Sequence, residues 1–421
     1  MASAPPATAT HPLSRRHAYW LVGAFAFGWL VISAGTMLIN PLLPLVRAEF
    51  QLSGAETGLL TVAFTLPYLL MQIPSGMLAD RLGARRVLVA MTLLSGLGMV
   101  ALGLWSYALP ALVAFAVVNR VGAGVYYPTA FGVTAGAVPA RSRGMASAFL
   151  VMGMALGSAL GLSLAVPLAG LAGNNWRFPL LAAGLLTLLL PALFQVLTWP
   201  APRPRALSSG SIAAALRDRS LLALFAINCC SNYAFTALAV WGPAFISGER
   251  GLSLALAGFY VGLVNLIGFP AGLASGLLSD RLGRQRLTML LFAAAGAALA
   301  ALAAFGEPAL VLVAMVAFGV AGKWSSDGVL AAWMGDHATA RFPFLASAVY
   351  GVNNTARMLG ALLAPLVSGA LLDRTGTLAT GFFVAAAVLG AASCLAPLVV
   401  EGQAAEGWLP GQAAAAEADR R

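Results

Sequence analysis

Twelve runs of apolar residues, most of them twenty residues or longer, follow one another along the chain and leave little room for anything else. A helix crosses the ~30 Å hydrocarbon core of a bilayer in about 20 residues. The runs lie at roughly 18–46, 54–78, 87–107, 109–137, 144–171, 177–199, 221–247, 253–278, 287–305, 309–334, 342–372 and 377–400. Inside a bilayer every backbone N–H and C=O must be satisfied within the protein. Runs of this length do so as helices, because barrel strands are half as long and alternate in polarity. The expected fold class is all-α and integral to the membrane, with twelve transmembrane helices. Composition agrees: 60% of the residues are hydrophobic, 9% are charged and 46 of 421 are glycine, outside the range of soluble domains.

A proline-rich, basic stretch separates two groups of six runs. The expected organisation is a tail over 1–17, a six-helix bundle over 18–199, a linker over 200–220, a second six-helix bundle over 221–400 and a tail over 401–421. The first 17 residues are polar and lack the short apolar core and cleavage site of a secretory signal. Lys and Arg accumulate on the cytoplasmic side of membrane proteins. With both tails and the linker on that side, it holds 17 of the 24 basic residues, and the other side holds Arg47, Arg177, Arg250 and Arg374. The expectation is a monomeric, multi-pass protein of the plasma membrane, of the bacterial inner-membrane kind, with both termini cytoplasmic and the lipid bilayer as its surroundings. The net charge of +10 is this topological bias and requires no nucleic-acid partner.

The stretch GMLADRLGARR, from Gly76, returns as GLLSDRLGRQR from Gly276, with seven of eleven positions identical. Each copy ends the second apolar run of its half on the cytoplasmic side, so the halves are parallel repeats related by an axis along the membrane normal. Asp80 and Asp280 each end a helix at the membrane surface, where a carboxylate can face the N-terminus of a neighbouring helix and accept from Arg. The glycines permit a tight turn. A further element is Arg120-Val-Gly-Ala-Gly124 in the fourth run.

This doubled Gly-x-Leu-x-Asp-Arg-x-Gly-x-x-Arg signature, with the Arg-x-x-x-Gly element and the six-plus-six division, resembles the major facilitator superfamily of secondary transporters over the whole chain. The resemblance implies alternating access. It also implies a cytoplasmic gate made by Gly76, Asp80, Arg81, Gly83 and Arg86 with Gly276, Asp280, Arg281, Gly283 and Arg286. Asp80 would meet the start of helix 11 and Arg141 or Arg143; Asp280 would meet the start of helix 5. The fifth run carries glycines at 153, 157 and 161 but Ser158 where drug/proton antiporters have proline, which leaves a small-xxx-small packing ladder. The run from Arg120 through Tyr127-Pro128 to Arg143-Gly144 resembles the organic-anion-transporting branches.

Ionisable groups in mid-membrane are costly, at least ~2.5 to 3.5 kcal/mol each on insertion scales, unless they line water or find a partner. Four lie there: Arg120, Lys323, Asp327 and Arg357, and Lys323 is the only lysine in the chain. Lys323 and Asp327 are four apart on one helix and in reach of each other. Arg120 and Arg357 are then left without an acid, one in each half. An interior of net positive charge favours an anion, and guanidinium grips carboxylate bidentately. Tyr350, Asn353, Asn354 and Arg357 share a face; so do Asn228, Ser231 and Asn232, and also Arg120, Gly124 and Tyr127. Thr61, Thr65, Tyr68 and Gln72, like Ser33, Thr36 and Asn40, recur at helical spacing. Such stripes read as a hydrated cavity, with isolated Thr and Ser acting instead as interhelical glue.

The expected function is secondary transport of a small organic anion, a carboxylate. Arg120, Arg357, Lys323, Tyr127, Asn232, Tyr350 and Asn353 would bind the substrate, and Asp327 would couple it to protons. Three roles stay open for Lys323 and Asp327: a structural pair, a substrate cation with its counter-ion, or a proton-coupling carboxylate. The alternative is a proton-driven exporter of an amphiphilic compound such as a drug or siderophore. No enzyme is expected, and no cofactor or metal: His11, His17 and His337 lie near or outside the membrane surface, with no nucleophile or ligand cluster beside them. Cys229, Cys230 and Cys394 suggest apolar packing rather than disulfides.

Overall fold

The computed structural model describes residues 15–137, 143–197, 216–341 and 346–399. Among the described residues every regular element is helical, and twelve segments are long and apolar enough to cross a membrane. Spans 1 to 6 are Arg16–Phe50, Gly54–Met71, Ala84–Trp105, Leu109–Phe131, Phe149–Leu171 and Arg177–Val196. Spans 7 to 12 are Arg219–Gly248, Leu254–Ser279, Arg284–Ala304, Pro308–His337, Val352–Thr375 and Ala379–Leu398. The chain passes from span 6 to span 7 on one face of the bundle, called here the linker face; the opposite one is the far face.

Among the described residues every expected run is helical, but three of them are broken. Span 4 divides into Leu109–Gly124 and Tyr126–Ala137, span 6 into Arg177–Thr187 and Leu190–Val196, and span 10 into Pro308–Ala321 and Lys323–Arg341. A proline follows each of the first two, although Pro67, Pro243, Pro270 and Pro365 sit inside unbroken helices. Pro128 and Pro191 have no N–H to give the carbonyls of Gly124 and Thr187, four residues earlier. The break in span 10 has no proline; it falls at Gly322, whose backbone leaves the helical region at φ −78°, ψ −153°.

Glycine sets how closely the helices cross. A Cβ added at Gly153, Gly157 or Gly161 of span 5 would stand 2.2, 2.1 or 2.3 Å from the carbonyl oxygen of Ala26, Leu30 or Ala34 of span 1. The small-xxx-small ladder is thus a backbone-to-backbone crossing. The second half repeats it, with Gly360 of span 11 against the carbonyl of Cys229 in span 7 at 2.1 Å. Overpacking of such a crossing costs about 1–3 kcal/mol. Gly157→Leu is therefore expected to lower the melting temperature in detergent by about 1–3 °C, read by tryptophan fluorescence; unchanged melting would mean that the two helices do not meet there.

Spans 2 and 11 meet across the two halves near the far face: a Cβ at Gly58 would lie 2.6 Å from the carbonyl oxygen of Pro365. Spans 5 and 8 do likewise: a Cβ at Gly258 would lie 2.7 Å from the carbonyl oxygen of Leu162. These crossings bring the fourth span of one half opposite spans 10 and 11 of the other.

Candidate functional site

The broken span 10 builds the centre of the second half. Lys323 opens its second helix directly after Gly322, and Asp327 follows one turn later. Lys323 Nζ lies 3.3 Å from Asp327 Oδ2, so the expected i, i+4 pair is present. The same oxygen accepts from Arg357 Nη2 of span 11 at 2.7 Å. This corrects the expectation that Arg357 stands without an acid: two cations share one carboxylate, and the cluster keeps a single net positive charge.

Aromatic and amide groups hold the cluster in shape. Lys323, 8% exposed, places its ammonium 4.1 Å over the Trp324 ring and 5.0 Å over that of Phe235, an arrangement in which the ring faces offset part of the lost hydration. Trp324 Nε1 donates to Asn265 Oδ1 at 2.6 Å, which fixes the ring. Asn232 Nδ2 donates to the backbone carbonyl of Arg357 at 2.7 Å, which ties span 7 to span 11 beside the arginine. Asn353, one turn before Arg357, is 5% exposed, and among the described residues its Oδ1 has no hydrogen-bond partner.

The first half contributes Tyr127, 38% exposed and within electrostatic range of both Arg357 and Asp327. Its ring lies 4.6 Å from Phe131 and 5.5 Å from Trp29, so an aromatic wall faces the charged cluster. Neighbouring Tyr126 is turned the other way and donates to the carbonyl of Phe25 at 2.7 Å.

Arg120 sits elsewhere. It is 8% exposed, its Nη2 donates to the carbonyl of Thr36 at 3.0 Å, and it lines a cavity of about 10 Å³ with Gly35, Phe64, Met99 and Asn119. That is about the least volume that holds one water. Among the described residues no carboxylate pairs with Arg120, as expected from the sequence, but it points into the first half rather than joining Arg357. Two of the hydroxyls expected to glue helices together turn inward as well: Thr61 and Thr65 each donate to the carbonyl four residues earlier in their own helix.

At the linker face the signature turns are alike. Gly83 and Gly283 adopt φ +89° and +83°, a region that favours glycine. Arg86, Arg281 and Arg286 are exposed, and the space around Gly276 is open. The positions that differ between the copies tie each turn to its own half: Arg85 donates to the carbonyl of Gln195, and Arg284 pairs with Asp336. The side-chain positions of Gly76, Asp80, Arg81, Asp280 and Tyr350, with Arg141 and Arg143, lie outside the described residues, and so do the latch contacts expected of them.

Trp324 and Phe235 are members of the candidate site that sequence reasoning missed. A tryptophan beside the only lysine was the available signal. The break at Gly322, which turns them toward one another, left none.

The probable sulfoacetate transporter of Cupriavidus necator is 24% identical over 400 residues, covering 88% of this chain and 91% of that protein. The multidrug efflux protein YfmO of Bacillus subtilis is 27% identical over 367 residues, covering 86% and 88%. In overall fold the chain is similar to a crystal structure of a bacterial homolog to the human lysosomal transporter Spinster, with a TM-score of 0.78, 18% identity and coverage of 94% of this chain and 100% of that one. A family model for the Major Facilitator Superfamily matches residues 25–365. The matched region is well over half of the chain, and with its twelve helices and doubled signature the chain belongs to the Major Facilitator Superfamily.

Proposed function

We propose that this transporter carries a small organic anion, a carboxylate, by alternating access of its two halves, and that Arg357 is the group that grips it. One observation carries the reading: Arg357 and Lys323 share the single carboxylate of Asp327, and Arg357 and Asp327 lie within electrostatic range of Tyr127 of the other half. A substrate carboxylate that takes the guanidinium from Asp327 leaves two neutral pairs, substrate with Arg357 and Asp327 with Lys323. The positive charge of the cluster is thereby cancelled by one monoanion, without a second cation. Asn353 offers its side-chain oxygen and Tyr127 its hydroxyl to the rest of the substrate; Arg120 adds positive potential from behind the first half's wall. Asp327, released from one cation, is the carboxylate through which proton coupling would run. The name of the Cupriavidus necator relative, which denotes an anion, supports the same sign of charge.

The linker face, with its excess of Arg, is assigned to the cytoplasm of a plasma membrane. A second reading, proton-driven export of an amphiphilic compound, is favoured by the aromatic wall of Trp29, Tyr127 and Phe131 and by the efflux relative. Uptake into right-side-out and inverted vesicles separates the two.

The test is a thermal-shift series on the purified protein with mono- and dicarboxylates, aromatic acids, sulfonates and inorganic anions. A ligand at a hundred times its Kd stabilises a folded protein by about 2.7 kcal/mol, so at least one organic acid is expected to raise the melting temperature by several degrees. Stabilisation by cationic amphiphiles alone, with no response to any anion, would refute the proposal.

A further inference from the structure

The eight residues that end span 11, Gly369-Ala-Leu371-Leu-Asp373-Arg374-Thr-Gly376, repeat the first eight positions of the linker-face signature, with Gly, Leu, Asp, Arg and Gly at the same five places. The eleventh position is Ala379 instead of Arg. The backbone repeats as well. Gly376 adopts φ +73°, beside +89° and +83° at Gly83 and Gly283, and its N–H closes the helix on the carbonyl four residues back at 2.8 Å, as theirs do at 3.0 and 3.1 Å. This third copy ends a different span from the other two and lies on the opposite face of the membrane.

Its carboxylate crosses between the halves. Asp373 Oδ1 accepts from the Gly54 N–H at 2.6 Å and Oδ2 from the Ala55 N–H at 2.7 Å, the first two amides of span 2. The third amide, of Glu56, is taken locally by the Ser53 hydroxyl at 3.1 Å. Helix N-termini carry partial positive charge and unpaired donors, so a bidentate carboxylate here forms two charge-assisted bonds at once. The reach depends on backbone contact: a Cβ at Gly369 would stand 2.2 Å from the carbonyl of Gly54, and one at Gly54 2.6 Å from that of Gly369. The bonds therefore exist only while spans 2 and 11 touch. The repeat-related crossing of spans 5 and 8 has no such device. Span 8 begins with Ser253 accepting from Leu256 N–H at 3.3 Å, and the end of span 5, from Pro167 to Asn175, contains no acidic residue.

We propose that Asp373 is the latch of the far-face gate, holding the halves closed on that side by capping span 2, and that it opens when the linker side closes. The proposal does not depend on which substrate is carried. Asp373 acts through span 2 and is a positioning residue for the transport cycle.

The test uses the full chain in lipid nanodiscs with Cys229, Cys230 and Cys394 replaced by Ser and spin labels at Ala108→Cys and Glu307→Cys, exposed far-face positions in opposite halves. Asp373→Asn is expected to raise the ratio of long to short far-face distances by about threefold to thirtyfold, equivalent to ~0.7 to 2 kcal/mol at ~1.4 kcal/mol per factor of ten. Asp373→Glu keeps most of the short population. Ala55→Pro removes one donor without touching the carboxylate and shifts the ratio in the same direction; proline is tolerated in a first helical turn. Unchanged distances in Asp373→Asn and Ala55→Pro would overturn the latch, as would a lower melting temperature with the distance distribution intact, which is what a merely structural role predicts.

Discussion

Arg357→Gln is expected to reduce anion uptake in proteoliposomes by a factor of about 100 or more in kcat/KM while leaving the protein folded and monodisperse in detergent. Truncating one member of a partly desolvated charge pair typically costs 2–5 kcal/mol, and a carboxylate substrate that must displace Asp327 has nothing to displace it from once the guanidinium is gone. Folding should survive. Asp327 keeps Lys323 at 3.3 Å, the Arg357 side chain is a quarter exposed, and the bond from Asn232 goes to the backbone carbonyl, which the substitution leaves in place. Arg357→Lys keeps the charge but not the planar fork, and an intermediate loss, carried mostly by KM, is expected. Full uptake by Arg357→Gln would remove the basis of the anion site.

The frame of this molecule is legible in its sequence because the bilayer admits few solutions: each long apolar run must close its own hydrogen bonds. The three helix breaks are not: Pro128 and Pro191 follow two of them, but Pro67, Pro243, Pro270 and Pro365 lie inside unbroken helices. Gly322 is one of 46 glycines spread over the chain, many of which serve close packing. For the site, the i, i+4 pairing of Lys323 with Asp327 follows from helix geometry alone. The partner of Arg357 does not follow, because it depends on how span 11 is rotated against span 10. Helical spacing likewise puts Arg120 and Tyr127 on one face, but Tyr126 opens a new helix in span 4, and the two side chains separate: Tyr127 faces Arg357, and Arg120 turns to the carbonyl of Thr36. The third signature copy shares five positions with the first. Such short similarity acquires weight only from the turn at Gly376 and the amides that Asp373 reaches.

Asp327→Asn is expected to separate binding from transport. The carboxylate competes with the substrate for Arg357, and without it the anion meets two unopposed cations and has no internal competitor to help it leave. Apparent affinity in a thermal-shift titration should rise, by about tenfold, because ~1.4 kcal/mol of competition is removed. Net uptake should fall by a similar factor or more, and an imposed pH gradient should no longer stimulate it. The variant also leaves Lys323, 8% exposed, without its counter-ion, and breaking a buried pair on one side costs about 3–5 kcal/mol. The stability loss therefore needs its own control. In Lys323→Met with Asp327→Asn both charges are gone, and replacing a buried pair by packed neutral groups is often close to neutral, so melting should return toward that of the parent. If the pair were structural only, transport and its response to the pH gradient would return with the melting temperature. If Asp327 carries the coupling, stability returns and gradient-driven uptake does not. Gradient-driven accumulation at the parent level in Asp327→Asn itself would place the coupling on another group.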